Sequence, residues 1–96
     1  MDLNAFRESI AAGEPPARLA KNLQALWHEA KGDWTRAHEI VQTQEGAEAA
    51  WVHAYLHRKE GDLSNADYWY RRAKRERPSG ALAAEWEEIA VALLTT

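Results

Sequence analysis

His53 and His57 stand four residues apart in a stretch of helical composition, the spacing at which two imidazoles share one helix face and hold one metal ion. His28 joins them as a third candidate, because its surroundings repeat those of His57. These three define the metal- or small-molecule-binding reading of the chain. No glutamate lies between the pair in the manner of a metallohydrolase, and no carboxylate is placed by sequence to complete a coordination sphere. Two imidazoles alone rarely hold zinc. The expectation is therefore no metal and no cofactor, with His28 and His57 as packing residues at a contact between helices.

Catalysis has little else to draw on. Cysteine is absent, which removes thiolate nucleophiles, thiolate metal sites and disulfides. Ser9, Thr35, Ser64 and Ser79 lie near helix ends, where capping explains them. There is no Gly-rich phosphate loop and no nucleophile elbow. Glu85 and Glu88 fall on a helix that reads as solvated outside its apolar stripe. The chain is not expected to be an enzyme.

Aromatic and basic residues are more informative. There are five tryptophans in 96 residues. Tyr68, Trp69 and Tyr70 are consecutive, and three neighbours cover roughly 200° of a helix surface, so Tyr68 is expected to point outward. Arg71, Arg72, Lys74, Arg75 and Arg77 follow at a helix C-terminus, where the dipole and the acidic run Glu85, Glu87 and Glu88 favour them. Tyr68, Arg71, Arg72 and Arg75 form a basic aromatic patch suited to an acidic protein partner. The net charge of −3 argues against nucleic acid and anionic lipid as partners.

The elements that must position these groups are helices. Alanine is abundant and β-branched residues are few, which points to an all-α chain of about six short helices in antiparallel hairpins. The apolar periodicity predicts helices over 3–12, 17–31, 34–45, 47–60, 63–77 and 79–94, with Ser79 as the last cap. The fourth is apolar on nearly all sides, as expected of a helix covered by several others. The chain reads as one domain over 1–96. It shows neither the basic start and apolar run of a signal peptide nor a membrane-spanning stretch, and a cytoplasmic location is expected.

The segment from His28 to Ala37 recurs from His57 to Ala66, at an offset of 29 residues. Gly32 and Gly61 are placed to end one helix in the left-handed conformation, Asp33 and Asp62 to cap the next, and Ala37 and Ala66 to let two helices approach. Gly61, Asp62, Ala66, Tyr70, Ala73 and Pro78 resemble the tetratricopeptide repeat, and Gly32, Asp33 and Ala37 match it in part. The stretch from Trp51 to Ala73 is also similar to a group of small bacterial proteins. The resemblance implies repeat-like hairpins at about 18–45 and 47–78 in a right-handed stack, with capping helices at 3–12 and 79–94. It further implies a concave groove lined by the first helix of each hairpin. The groove positions are Glu48, Trp51, Tyr55, Arg58 and Lys59 in one copy, and Leu19, Asn22, Leu26, Glu29 and Ala30 in the other. The expected function is a non-enzymatic protein–protein interaction module that holds a peptide or acidic partner through Trp51, Tyr55, Arg58 and Lys59. A third reading is a homodimer through Trp86, Val91 and Leu94 of the last helix.

Overall fold

The computed structural model describes residues 1–95 and shows six helices and, among the described residues, no strand. They are α1 (Leu3–Ala12), α2 (Lys21–Ala30), α3 (Trp34–Val41), α4 (Ala47–Glu60), α5 (Leu63–Arg72) and α6 (Leu82–Leu94). None is long and apolar enough to cross a membrane.

The two copies of the repeated segment build the same turn. Gly32 and Gly61 take φ of 87° and 90°, the left-handed region that glycine enters without a Cβ clash. The next amide then closes back on the first helix, Asp33 onto the His28 carbonyl at 2.9 Å and Asp62 onto that of His57 at 3.0 Å. The aspartates cap the following helices, accepting from the Arg36 amide at 3.0 Å and the Asn65 amide at 3.3 Å. Ala37 and Ala66, fully buried, lie at the contacts this creates. The results are two hairpins, α2 with α3 and α4 with α5.

α4 is the centre. Every residue from Ala49 to His57 is buried, and the helix packs against α2, α3, α5 and α6. The last helix lies across both α2 and α4. Its Trp86 donates to the Leu26 carbonyl at 3.3 Å and stacks on Phe6 of α1 at 5.8 Å between ring centroids. α1 is tied in further by the Trp27 indole, which donates to Ser9 at 3.1 Å, and by an Arg7–Glu87 ion pair at 3.2 Å. The outcome is a body of 34 × 27 × 25 Å rather than an elongated solenoid.

Four boundaries differ from expectation. α3 ends at Val41, because the Thr43 and Gln44 amides close back on the Ile40 and Val41 carbonyls at 3.3 and 3.0 Å. α2 begins at Lys21, because the chain after Pro16 turns through Arg18 at φ 61° before entering the helix. α5 ends at Arg72, because Lys74 takes φ 60° and the Arg75 amide bonds back to the Tyr70 carbonyl at 2.9 Å, well before Pro78. α6 begins at Leu82, and its N-cap Ala81 offers no side-chain acceptor, so Ser79 is not a cap.

Candidate functional site

The groove expected between the hairpins is largely filled from within. Trp51 and Arg58 point from α4 at Glu85 of α6, a carboxylate only 3% exposed. Arg58 Nη1 donates to Glu85 Oε1 at 2.9 Å and Trp51 Nε1 to Oε2 at 3.2 Å. The Tyr70 hydroxyl donates to the same carboxylate at 2.7 Å. Arg58 also donates to the Gly80 carbonyl. Along the same face of α4, Lys59 pairs with the buried Glu29 of α2, and the Tyr55 hydroxyl donates to it at 3.4 Å. Burial and these carboxylates push both phenols well above the ordinary tyrosine range. Arg58 and Lys59 therefore have the carboxylates that such cations select, but both belong to this chain.

This corrects the expected contact set. Trp51 is 4% exposed and is covered on one face by the Arg75 guanidinium, 3.4 Å from its ring centroid. Trp51 and Arg58 are internal groups. Tyr55, at 2% exposed, is as enclosed as Trp51, yet with Lys59 it lines an open cleft of about 480 Å³ together with Glu29, Ala30, Arg7, Ile10, Leu82, Ala83 and Trp86. Of the proposed dimer residues, Trp86 is buried under Phe6, while Val91 is exposed and Leu94 half-buried.

The basic patch on α5 forms in part. Tyr68 is 46% exposed, and Arg72 lies over it, donating to its hydroxyl at 3.0 Å. Arg71, Arg72 and Lys74 are exposed, and among the described residues no carboxylate lies within ion-pair distance of them. Arg75 turns back over Trp51 and approaches Glu88 at 3.8 Å, so it leaves the patch. Arg77 pairs with Asp67 at 2.9 Å rather than with α6, and that carboxylate raises its pKa.

The histidines converge differently from the expectation. His53 and His57 are joined not by His28 but by His38 of α3, and one ligand atom of each lies within 4.8 Å of the others. His38 Nε2 and His53 Nε2 are 3.1 Å apart. His28 instead meets the edge of Trp27. Aromatic faces frame the cluster: His38 stacks on Trp34 at 5.0 Å, and His53 on Trp69 at 3.9 Å. Trp34 is fixed by its indole N–H, which donates to the Leu56 carbonyl at 2.7 Å. His57 Nδ1 meets Glu60 Oε2 at 2.6 Å. Burial, then His38, His57 and Arg72, push His53 down from 6.5 to about 4. Burial and His57 lower His38 as well, against a smaller opposing pull from Glu60.

Sequence reasoning missed His38 and Glu85 as site-forming groups, and it placed Glu29 in the groove without its pairing to Lys59. A signal existed for each. His38 follows the contact residue Ala37 and lies one turn beyond Trp34. Glu85 occupies a place on the apolar stripe of α6, three residues after Leu82 and four before Ile89. Glu29 coincides with a groove position. Comparison of the chain with protein-family models, with curated proteins and with solved structures finds no match.

Proposed function

We propose that the chain is a non-enzymatic protein–protein interaction module, built like a minimal tetratricopeptide array, that takes an acidic peptide bearing an apolar anchor. The observation that carries this reading is the lining of the 480 Å³ cleft. Glu29 and Ala30 of α2 and Tyr55 and Lys59 of α4 stand at groove positions of their two hairpins, and all four line it. Ile10, Leu82 and Trp86 supply apolar walls for one side chain of the ligand. Arg7 and Lys59 stand at its rim with side chains 49% and 44% exposed; each is paired within the chain, with Glu87 and Glu29, so a ligand carboxylate beside the anchor must share or displace that partner.

A second contact face is favoured by the three cations of α5 and the turn after it. Arg71, Arg72 and Lys74 lack an ion-pair partner among the described residues, and Tyr68 beside them is exposed. Both faces present cations, unpaired on α5 and paired within the chain at the cleft.

Selection from a random peptide library separates these readings. Ala30→Trp fills the cleft from an exposed position without removing any buried partner. The cleft reading expects enriched peptides that carry an apolar residue beside acidic ones, with binding lost in Ala30→Trp. Binding that survives Ala30→Trp but is lost in Arg71→Glu/Arg72→Glu transfers the contact to α5. A folded parent that enriches no peptide rejects the interaction reading.

A further inference from the structure

We propose that His38, His53 and His57 form a binding site for a late first-row divalent metal ion, with Zn2+ as its probe and a fourth coordination position open to solvent. The site is independent of the peptide cleft, for it lies between α3, α4 and α5.

Three features of the geometry fit. The first is the donor set: three imidazoles, two of them on α4 at i and i+4, have ligand atoms within 4.8 Å of one another. Metal–nitrogen bonds of about 2.0–2.1 Å in a tetrahedron place neighbouring nitrogens about 3.3 Å apart. The two Nε2 atoms of His38 and His53, at 3.1 Å, already have that separation. Imidazole nitrogen as the sole protein donor suits zinc, copper and nickel and not calcium or magnesium, which require oxygen.

The second is the support behind the ligands. Glu60 accepts from His57 Nδ1 at 2.6 Å, which fixes the ring tautomer and leaves Nε2 as its donor atom. The carboxylate behind a ligating histidine also makes the imidazole a stronger base. His38 and His53 are held flat by Trp34 and Trp69. In the metal-free chain one of the two facing Nε2 atoms donates a proton to the other. With the ion bound, both rings carry their proton on Nδ1, so the exchange is a change of tautomer without net loss of charge.

The third is access. His53 lies at the wall of a cleft of about 580 Å³ that Trp69, Arg72 and Lys74 also line. Water or a small anion from that cleft completes the sphere, and the two cations favour the anion. Arg72 also opposes a bare dication at His53, which makes a bound anion part of the stable state.

The test is Zn2+ competition against a chromophoric chelator, together with thermal melting with and without Zn2+. The parent is expected to withdraw Zn2+ from the chelator and to melt at higher temperature when loaded. Co2+ in its place is expected to give the strong visible bands of a four-coordinate ion. His38→Gln changes a half-buried side chain and is expected to weaken Zn2+ binding by about 100-fold or more, and Glu60→Gln by about 10-fold. His28→Gln is expected to bind as the parent does. A parent that neither competes nor shifts its melting point overturns the site, and so does equal affinity in His38→Gln. Loss in Asp62→Asn with His38→Gln unchanged would move the ion to His57, Glu60 and Asp62 and overturn it equally.

Discussion

Arg58 of α4 meets Glu85 of α6 at 2.9 Å, with their side chains 11% and 2% exposed. This is a buried charge pair whose remaining hydrogen-bonding capacity is met by Trp51, Tyr70 and the Gly80 carbonyl. Removing one member of such a pair leaves the other ionised in a poorly solvated place. Glu85→Ala is expected to destabilise the chain by about 3–5 kcal/mol in urea unfolding. A loss under about 1 kcal/mol would mean that the carboxylate does not organise the α4–α6 contact.

Stability of the metal-free chain is expected to fall in acid through His53. Its pKa is near 4 in the folded chain against 6.5 when unfolded. Between those values the unfolded chain takes up a proton that the folded chain refuses. The stabilisation is therefore complete above about pH 6.5 and declines as the pH falls toward 4, by something on the order of 2 kcal/mol. The groups that act on the ring are His38 from α3, His57 from α4 and Arg72 from α5. Urea unfolding as a function of pH, with chelator present, should give a shallower acid limb for His53→Gln than for the parent. Identical limbs would remove His53 as the cause.

Lys74 holds a left-handed conformation at φ 60° after α5, where its side chain is exposed. Glycine adopts that conformation without the steric cost of a Cβ. Lys74→Gly is expected to raise stability by about 0.5–1 kcal/mol, read as a higher melting temperature. A lower one would show that the lysine makes a contact worth more than the strain.

Two small residues at the hairpins are costly to replace for different reasons. Ala66 is fully buried, and Ala66→Leu is expected to cost about 1–3 kcal/mol by overpacking the α4–α5 contact. Gly61 has open space where a Cβ would stand, so Gly61→Val destabilises through its φ of 90° alone, by about 1–2 kcal/mol. If Gly61→Ala costs as little as a surface change elsewhere, the left-handed turn is not what ends α4.

The parts of the fold that sequence reveals are those written in local chemistry. Gly32-Asp33 and Gly61-Asp62 state both the end of one helix and the cap of the next, and the structure has both turns in place. Two of the boundaries that moved, the start of α2 and the end of α5, depend on non-glycine residues in left-handed conformations, Arg18 and Lys74, which no propensity announces. The candidate sites were legible only in fragments. The spacing of His53 and His57 is local, but His38 becomes their neighbour only when α3 docks on α4. Arg58 and Lys59 were readable as cations seeking carboxylates. That Glu85 and Glu29 answer them follows from burial of charged residues on apolar faces, and a pattern of hydrophobicity hides such residues by construction.

The contact between α1 and α6 changes how the fold forms. In an open array each hairpin leans only on its neighbours, so the ends fray separately and folding spreads along the chain. Here Phe6 lies against Trp86, and Arg7 meets Glu87 at a separation of 80 residues. Until the last helix has crossed α2 and α4, the first has only its polar contacts with α2, from Trp27 to Ser9 and from Lys31 to Ile10, to hold it. That long loop closure slows the search for the native state and couples the two ends, so the helices are gained and lost together in one cooperative transition.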